Sequence, residues 1–121
     1  MTQTDNSAIV ATPLNGHIGA EISNIDLGRP LAQADFDGLQ AALARYEVLV
    51  FRDQDISLEA QIAFAKRFGN LSTHPFATNL PDVPEVIEFD NSGRNPAGPT
   101  DSCHSDETCP ARPPMATILR A

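Results

Sequence analysis

The chain has 121 residues, 41% of them hydrophobic and 20% charged, enough for one domain that buries roughly two thirds of its unfolded surface and too apolar for wholesale disorder. Sixteen acidic against eight basic residues give a formal charge of −8. That balance argues against nucleic acid and anionic membranes as partners, since both require a basic face that displaces counterions, but it leaves room for a cationic pocket that takes a small anion.

No apolar run reaches the roughly 20 residues of a membrane span, and the start, MTQTDNSAIV, lacks the basic and apolar regions of a secretory leader. A cytoplasmic protein is expected, with its two cysteines kept as thiols.

Residues 1–7 are polar and are expected to form a disordered tail, with residues 8–121 making one domain portion. AIVATPL and HIGAEI flank Asn15-Gly16, a hairpin signal, and predict two short strands. In residues 32–47, Phe36, Leu39, Leu43 and Tyr46 recur at spacings of three and four, the stripe of an amphipathic helix. VLVF, residues 48–51, reads as a buried strand. A second helix is expected after Ser57 as N-cap, burying Leu58, Ile62, Ala65 and Phe68, with Gly69 at its C′ position. Both stripes are read as core.

After Gly69 the texture changes. Most of the ten prolines fall between Pro75 and Pro114, around two strand-like runs, EVIEF (85–89) and MATILRA (115–121), so strands joined by long loops are expected. MATILRA carries no turn or polar tail after it, which leads to the expectation of a fragment.

DSCHSDETCP, residues 101–110, concentrates metal-ligating and redox-active residue types. If residues 103–109 are extended, side chains alternate, so His104 and Asp106 share one face while Cys103, Ser105, Glu107 and Cys109 share the other. A zinc site using both cysteines then needs the strand to break, and a Cys103–Cys109 disulfide would have to span about 20 Å at roughly 3.3 Å per residue. The His-x-Asp pair is left, an imidazole and a carboxylate converging on one point. With a distant histidine it would form the facial triad of non-haem Fe(II) oxygenases, although the tripeptide by itself is a weak signal and an exposed histidine beside an aspartate is usually only solvated.

The blocks VLVFRDQDIS, AFAKRFG, HPF, PEVIEFDN, HSDET and RPPMATILRA, in that order, resemble the amino-terminal half of the taurine dioxygenase family of Fe(II)- and 2-oxoglutarate-dependent oxygenases. The resemblance runs from about Val10 to Ala121. It implies an α+β, mainly β fold: a double-stranded β-helix, or jelly roll, with flanking helices, here incomplete. It further implies that His104 and Asp106 are two iron ligands and that His74 lines the substrate pocket and touches the substrate's acidic group. Thr100 occupies the site of a substrate-contacting asparagine. Fe(II) is the implied cofactor, with 2-oxoglutarate and O2 as cosubstrates; 2-oxoglutarate is decarboxylated to succinate while a small anionic substrate of the sulfonate, alkyl sulfate or aryloxyalkanoate type is hydroxylated. The family's second histidine ligand and its arginine for 2-oxoglutarate correspond to positions beyond Ala121, so residues 1–121 alone are expected to be inactive, and no 2-oxoglutarate-binding residue is assigned.

The sequence departs from the family where Cys103 stands in place of a common tryptophan, Cys109 in place of an aromatic residue and Ala77 in place of a pocket tyrosine. Thr100 and Ala77 weigh against taurine as the substrate, and the two cysteines place small, oxidisable groups beside the implied iron ligands. His17 matches nothing functional. The alternatives are a non-catalytic binding module that keeps the fold without a complete metal site, and a zinc site using both cysteines; a homo-oligomer is left open.

Overall fold

A computed structural model describes residues 8–75, 79–89, 103–105, 107–108 and 110–121. The chain divides into two units, Met1–Arg67 and Phe68–Ala121. The expected tail, residues 1–7, lies outside the described residues, as do Ala77, Thr100, Asp106 and Cys109.

The first unit runs β1 (Val10–Pro13), β2 (Ala20–Ser23), α1 (Gln33–Tyr46), β3 (Leu49–Phe51) and α2 (Leu58–Lys66). Its three-stranded sheet has the order β1-β2-β3. β1 pairs antiparallel with β2, with Ala11 opposite Ile22, and β2 pairs parallel with β3, with Glu21 opposite Val50. The parallel pair requires a crossover, which α1 supplies.

The predicted hairpin forms around a wider loop than Asn15-Gly16 alone. Leu14 N donates to Gly19 O at 2.9 Å, and the Asn15 side chain accepts from the backbone N–H of both His17 and Ile18 at 2.8 Å. Gly19 closes the loop at φ +90, a conformation that disfavours any Cβ. Its N–H reaches Tyr46 O at 2.8 Å, fastening the end of α1 to the start of β2.

Helix α1 begins after Ala32, which makes no side-chain cap. Arg67 serves that end instead: its guanidinium donates to Leu31 O and to Gln33 Oε1, each at 3.0 Å, and lies 4.4 Å from the centre of the Phe36 ring. The helix ends at Glu47, φ 65, whose N–H bonds to Leu43 O at 2.8 Å. Its buried face is Phe36, Leu39 and Ala42, whereas Leu43 and Tyr46 are half-buried.

Ser57 caps α2 as expected, accepting from Ala60 N at 3.2 Å. The predicted stripe needs correction: Leu58, Ile62, Ala65 and Phe68 are each half-buried, and Phe64 is the buried residue of this helix. Its ring meets Phe51 edge to face, with centroids 5.9 Å apart and planes at 81°, an arrangement that aromatic quadrupoles favour. Arg67 is the C-cap, so Gly69, at φ +146, lies one position beyond the expected C′. Strand β3 is also less enclosed than VLVF suggested. It lies at the sheet edge, its residues are half-buried and Val48 is 48% exposed.

Among the described residues the buried apolar side chains are Ala20, Ile22, Leu27, Phe36, Leu39, Ala42 and Phe64, all within the first unit. Gln54 anchors the β2–α1 loop to it, accepting from Leu27 N at 2.8 Å and donating to Ile25 O at 3.2 Å.

In the second unit the two expected strands do not form among the described residues. EVIEF contributes one isolated antiparallel bridge, Asn79 to Ile87, closed by Leu80 N to Val86 O at 2.9 Å. Residues 115–121 carry no ladder, and Leu119 is 81% exposed. An apolar run becomes a strand only when its backbone groups join a ladder, and among the described residues this segment joins none. The described part is therefore a small mixed sheet with two helices, which is less than a jelly roll. No helix of the described residues is long and apolar enough to cross a membrane.

Candidate functional site

The candidate residues that the structure describes all belong to the second unit. His74 lies in the irregular segment that follows Gly69 and is half-buried. Its carbonyl oxygen accepts from Asn79 Nδ2 at 3.1 Å, so the isolated bridge at Asn79 also sets the backbone at His74. Asn79 Oδ1 is buried without a hydrogen-bond partner among the described residues.

Cys103, His104 and Ser105 are exposed, in irregular chain. Cys103 carries a free thiol. The alternation of faces assumed for residues 103–109 does not hold. Glu107 takes φ 42, in the left-handed region that breaks the period of two, and it is half-buried while Cys103 and Ser105 are exposed. The separation of His104 from its neighbours by strand parity therefore loses its basis. The pairing of His104 with Asp106 is not a matter the described residues decide, because Asp106 lies outside them, and so does the polar contact expected of Thr100.

One connection has no signal in the sequence. Ser72 Oγ donates to Glu107 Oε2 at 3.0 Å, tying the segment of His74 to the block HSDET. Both residues stand inside or beside the blocks already singled out, but a contact between positions 35 apart leaves no local periodicity to read.

Among the described residues no group of three His, Cys, Asp or Glu side chains could hold a metal ion. The donor types around His104 nevertheless suit Fe(II), since an imidazole and a carboxylate are two members of the 2-His-1-carboxylate set. Zinc through both cysteines has only Cys103 among the described residues.

Comparison with known proteins gives a consistent result. The family described as taurine catabolism dioxygenase TauD, TfdA family matches residues 11–121. An alpha-ketoglutarate-dependent sulfate ester dioxygenase of Pseudomonas putida is 34% identical over 110 residues, covering 90% of this chain and 36% of that protein. An (S)-phenoxypropionate/alpha-ketoglutarate-dioxygenase of Sphingobium herbicidovorans is 41% identical over 81 residues, covering 65% of this chain and 28% of that protein. The crystal structure of a taurine dioxygenase from Burkholderia xenovorans superposes with a TM-score of 0.61 at 38% identity, over 65% of this chain and 29% of that one. The chain thus spans about a third of the length of the curated relatives it matches.

Proposed function

We propose, because the chain belongs to the TauD, TfdA family of taurine catabolism dioxygenases, that it is the amino-terminal part of an Fe(II)- and 2-oxoglutarate-dependent dioxygenase that hydroxylates a small anionic substrate. The observation that carries this reading is the family match over residues 11–121, which encloses His104-x-Asp106.

In this reading His104 and Asp106 hold the metal, and a further histidine outside residues 1–121 completes the set. The bound Fe(II) supplies the oxidative chemistry, coupling decarboxylation of 2-oxoglutarate with O2 to hydroxylation of a substrate C–H bond. The residues of this chain bind and orient. His74 offers a hydrogen-bond donor to the substrate's acidic group, and the hydroxyl of Thr100 adds a second polar contact. Ala77 and Thr100 are small, which suits an alkyl sulfate or aryloxyalkanoate better than taurine; the relatives named for sulfate esters and phenoxypropionate support that class. The runs 85–89 and 115–121 take their strand partners from the rest of a jelly roll, in keeping with the greater length of the relatives. A cytoplasmic setting belongs to the same proposal, because a reducing compartment keeps the metal ferrous and Cys103 a thiol.

The test is succinate formation from 2-oxoglutarate by the intact gene product with Fe(II) and a panel of alkyl sulfates, sulfonates and aryloxyalkanoates. Turnover with at least one class, reduced to background by His104→Ala, is expected. A properly folded protein that turns over none of them fits the second reading, a binding module with the fold but no complete metal site, which the exposed Cys103 beside His104 favours.

A further inference from the structure

Residues 71–75 are fastened at two points. Ser72 Oγ donates to Glu107 Oε2 at 3.0 Å, and the His74 carbonyl accepts from Asn79 Nδ2 at 3.1 Å. The second bond makes the first more than an incidental surface contact. A hydroxyl–carboxylate bond in water is weak when both partners must be ordered to make it; here Asn79, held by its bridge to Ile87, has already fixed the backbone two residues from Ser72.

The other partner is constrained too. Glu107 has φ 42, a backbone setting that a residue bearing a Cβ keeps only where its surroundings over-determine it. It directly follows Asp106 and lies three residues after His104. Ser72 and Glu107 lie 35 positions apart, a separation over which chain continuity by itself sets no fixed distance between them. A direct bond between the two segments provides the missing constraint.

Resting on the oxygenase reading above, we propose that Ser72 and Glu107 are positioning residues: their hydrogen bond sets the segment of His74 against the loop of His104 and Asp106, and so holds the substrate's acidic group in register with the metal. Neither residue touches substrate or metal in this scheme. Ser72 acts through His74, two residues away, and Glu107 acts through Asp106, its neighbour.

The test compares full-length wild type with Ser72→Ala, Glu107→Ala, the double variant and the conservative Ser72→Thr and Glu107→Gln, which keep a donor and an acceptor. Amide hydrogen exchange is followed in residues 71–75 and 103–108 without substrate. Each alanine variant is expected to speed exchange in both segments, the double variant to add nothing, and the conservative variants to stay near wild type. On the same preparations, KM for hexyl sulfate or 2,4-dichlorophenoxyacetate is expected to rise about fivefold in the alanine variants with kcat within about twofold, the size of one lost hydrogen bond. Faster exchange confined to the mutated segment, or additive effects in the double variant, overturns the clamp while leaving the oxygenase reading intact. Linked exchange with unchanged KM overturns the positioning role. A wild type that forms no succinate with any substrate removes the oxygenase reading and the positioning role together, while the exchange data still decide whether the clamp exists.

Discussion

Every buried apolar side chain among the described residues lies between Ala20 and Phe64, whereas residues 68–121 leave Phe89, Met115 and Leu119 exposed and carry all the candidate site residues. The first unit obtains its order from a ladder, two helices and a core that close on one another. The described residues of the second include turn hydrogen bonds, one isolated bridge and the side-chain bonds of Ser72 and Asn79, with no buried apolar side chain among them. The difference separates two sources of order. Packing fixes residues 8–67, while individually weak polar contacts set the backbone where the chemistry is proposed, so the second region is expected to open locally at lower cost.

The largest contrast in stability should come from one substitution on each side. Leu39 is fully buried in α1, and Leu39→Ala is expected to cost about 2–5 kcal/mol in urea unfolding. Leu119, 81% exposed, should cost under about 0.5 kcal/mol in the same substitution within the 121-residue chain. A loss at Leu119 approaching that at Leu39 in the intact protein would show that this run gains its strand partner there, and would narrow the contrast to residues 1–121.

A smaller effect probes the tie between hairpin and helix. Gly19 stands at φ +90 with Leu14 Cδ1 3.6 Å from a Cβ built there, which is ordinary contact distance. Gly19→Ala should therefore destabilise by about 1 kcal/mol or more through backbone strain and not through a clash. A thermal midpoint equal to wild type would show that the loop relaxes around the new side chain.

The smallest effect concerns the start of α2. The Glu59 carboxyl is held below its ordinary pKa by a hydrogen bond from its own backbone N–H and then by one from Ser57. A carboxyl whose folded pKa is depressed contributes stability that is present above its unfolded pKa and lost as pH falls through the folded value. A carbon-detected NMR titration should place Glu59 below an unfolded reference, and Ser57→Ala should move it part of the way back. No movement would assign the shift to the backbone alone.

The same division governs what the sequence made legible. Ser57 was readable as a cap because capping is local, and α1 because its stripe repeats every turn. Phe64 was missed because the face α2 buries is chosen by Phe51 on another element, which the spacing of Leu58, Ile62, Ala65 and Phe68 does not encode. Val48 and β3 read as buried because an apolar run does not say whether its strand is central or at the edge. In the second region, EVIEF and MATILRA had the right composition for strands, but pairing is a property of two segments. The parity of residues 103–109 failed at one left-handed residue, Glu107. The proposal of His104 and Asp106 as ligands came from ordered blocks of resemblance, and the bond between Ser72 and Glu107 from the structure alone.

The proposed assignment of two metal ligands of a 2-oxoglutarate-dependent dioxygenase to residues 68–121 rests on His104 and Asp106. It is tested most directly by adding Fe(II) and then 2-oxoglutarate anaerobically to the intact protein and recording the visible spectrum. Wild type is expected to give a metal-to-ligand charge-transfer band that His104→Ala removes while the far-ultraviolet circular dichroism stays unchanged. A wild type without the band, or a His104→Ala variant that keeps it, would show that His104 does not hold the metal in this way.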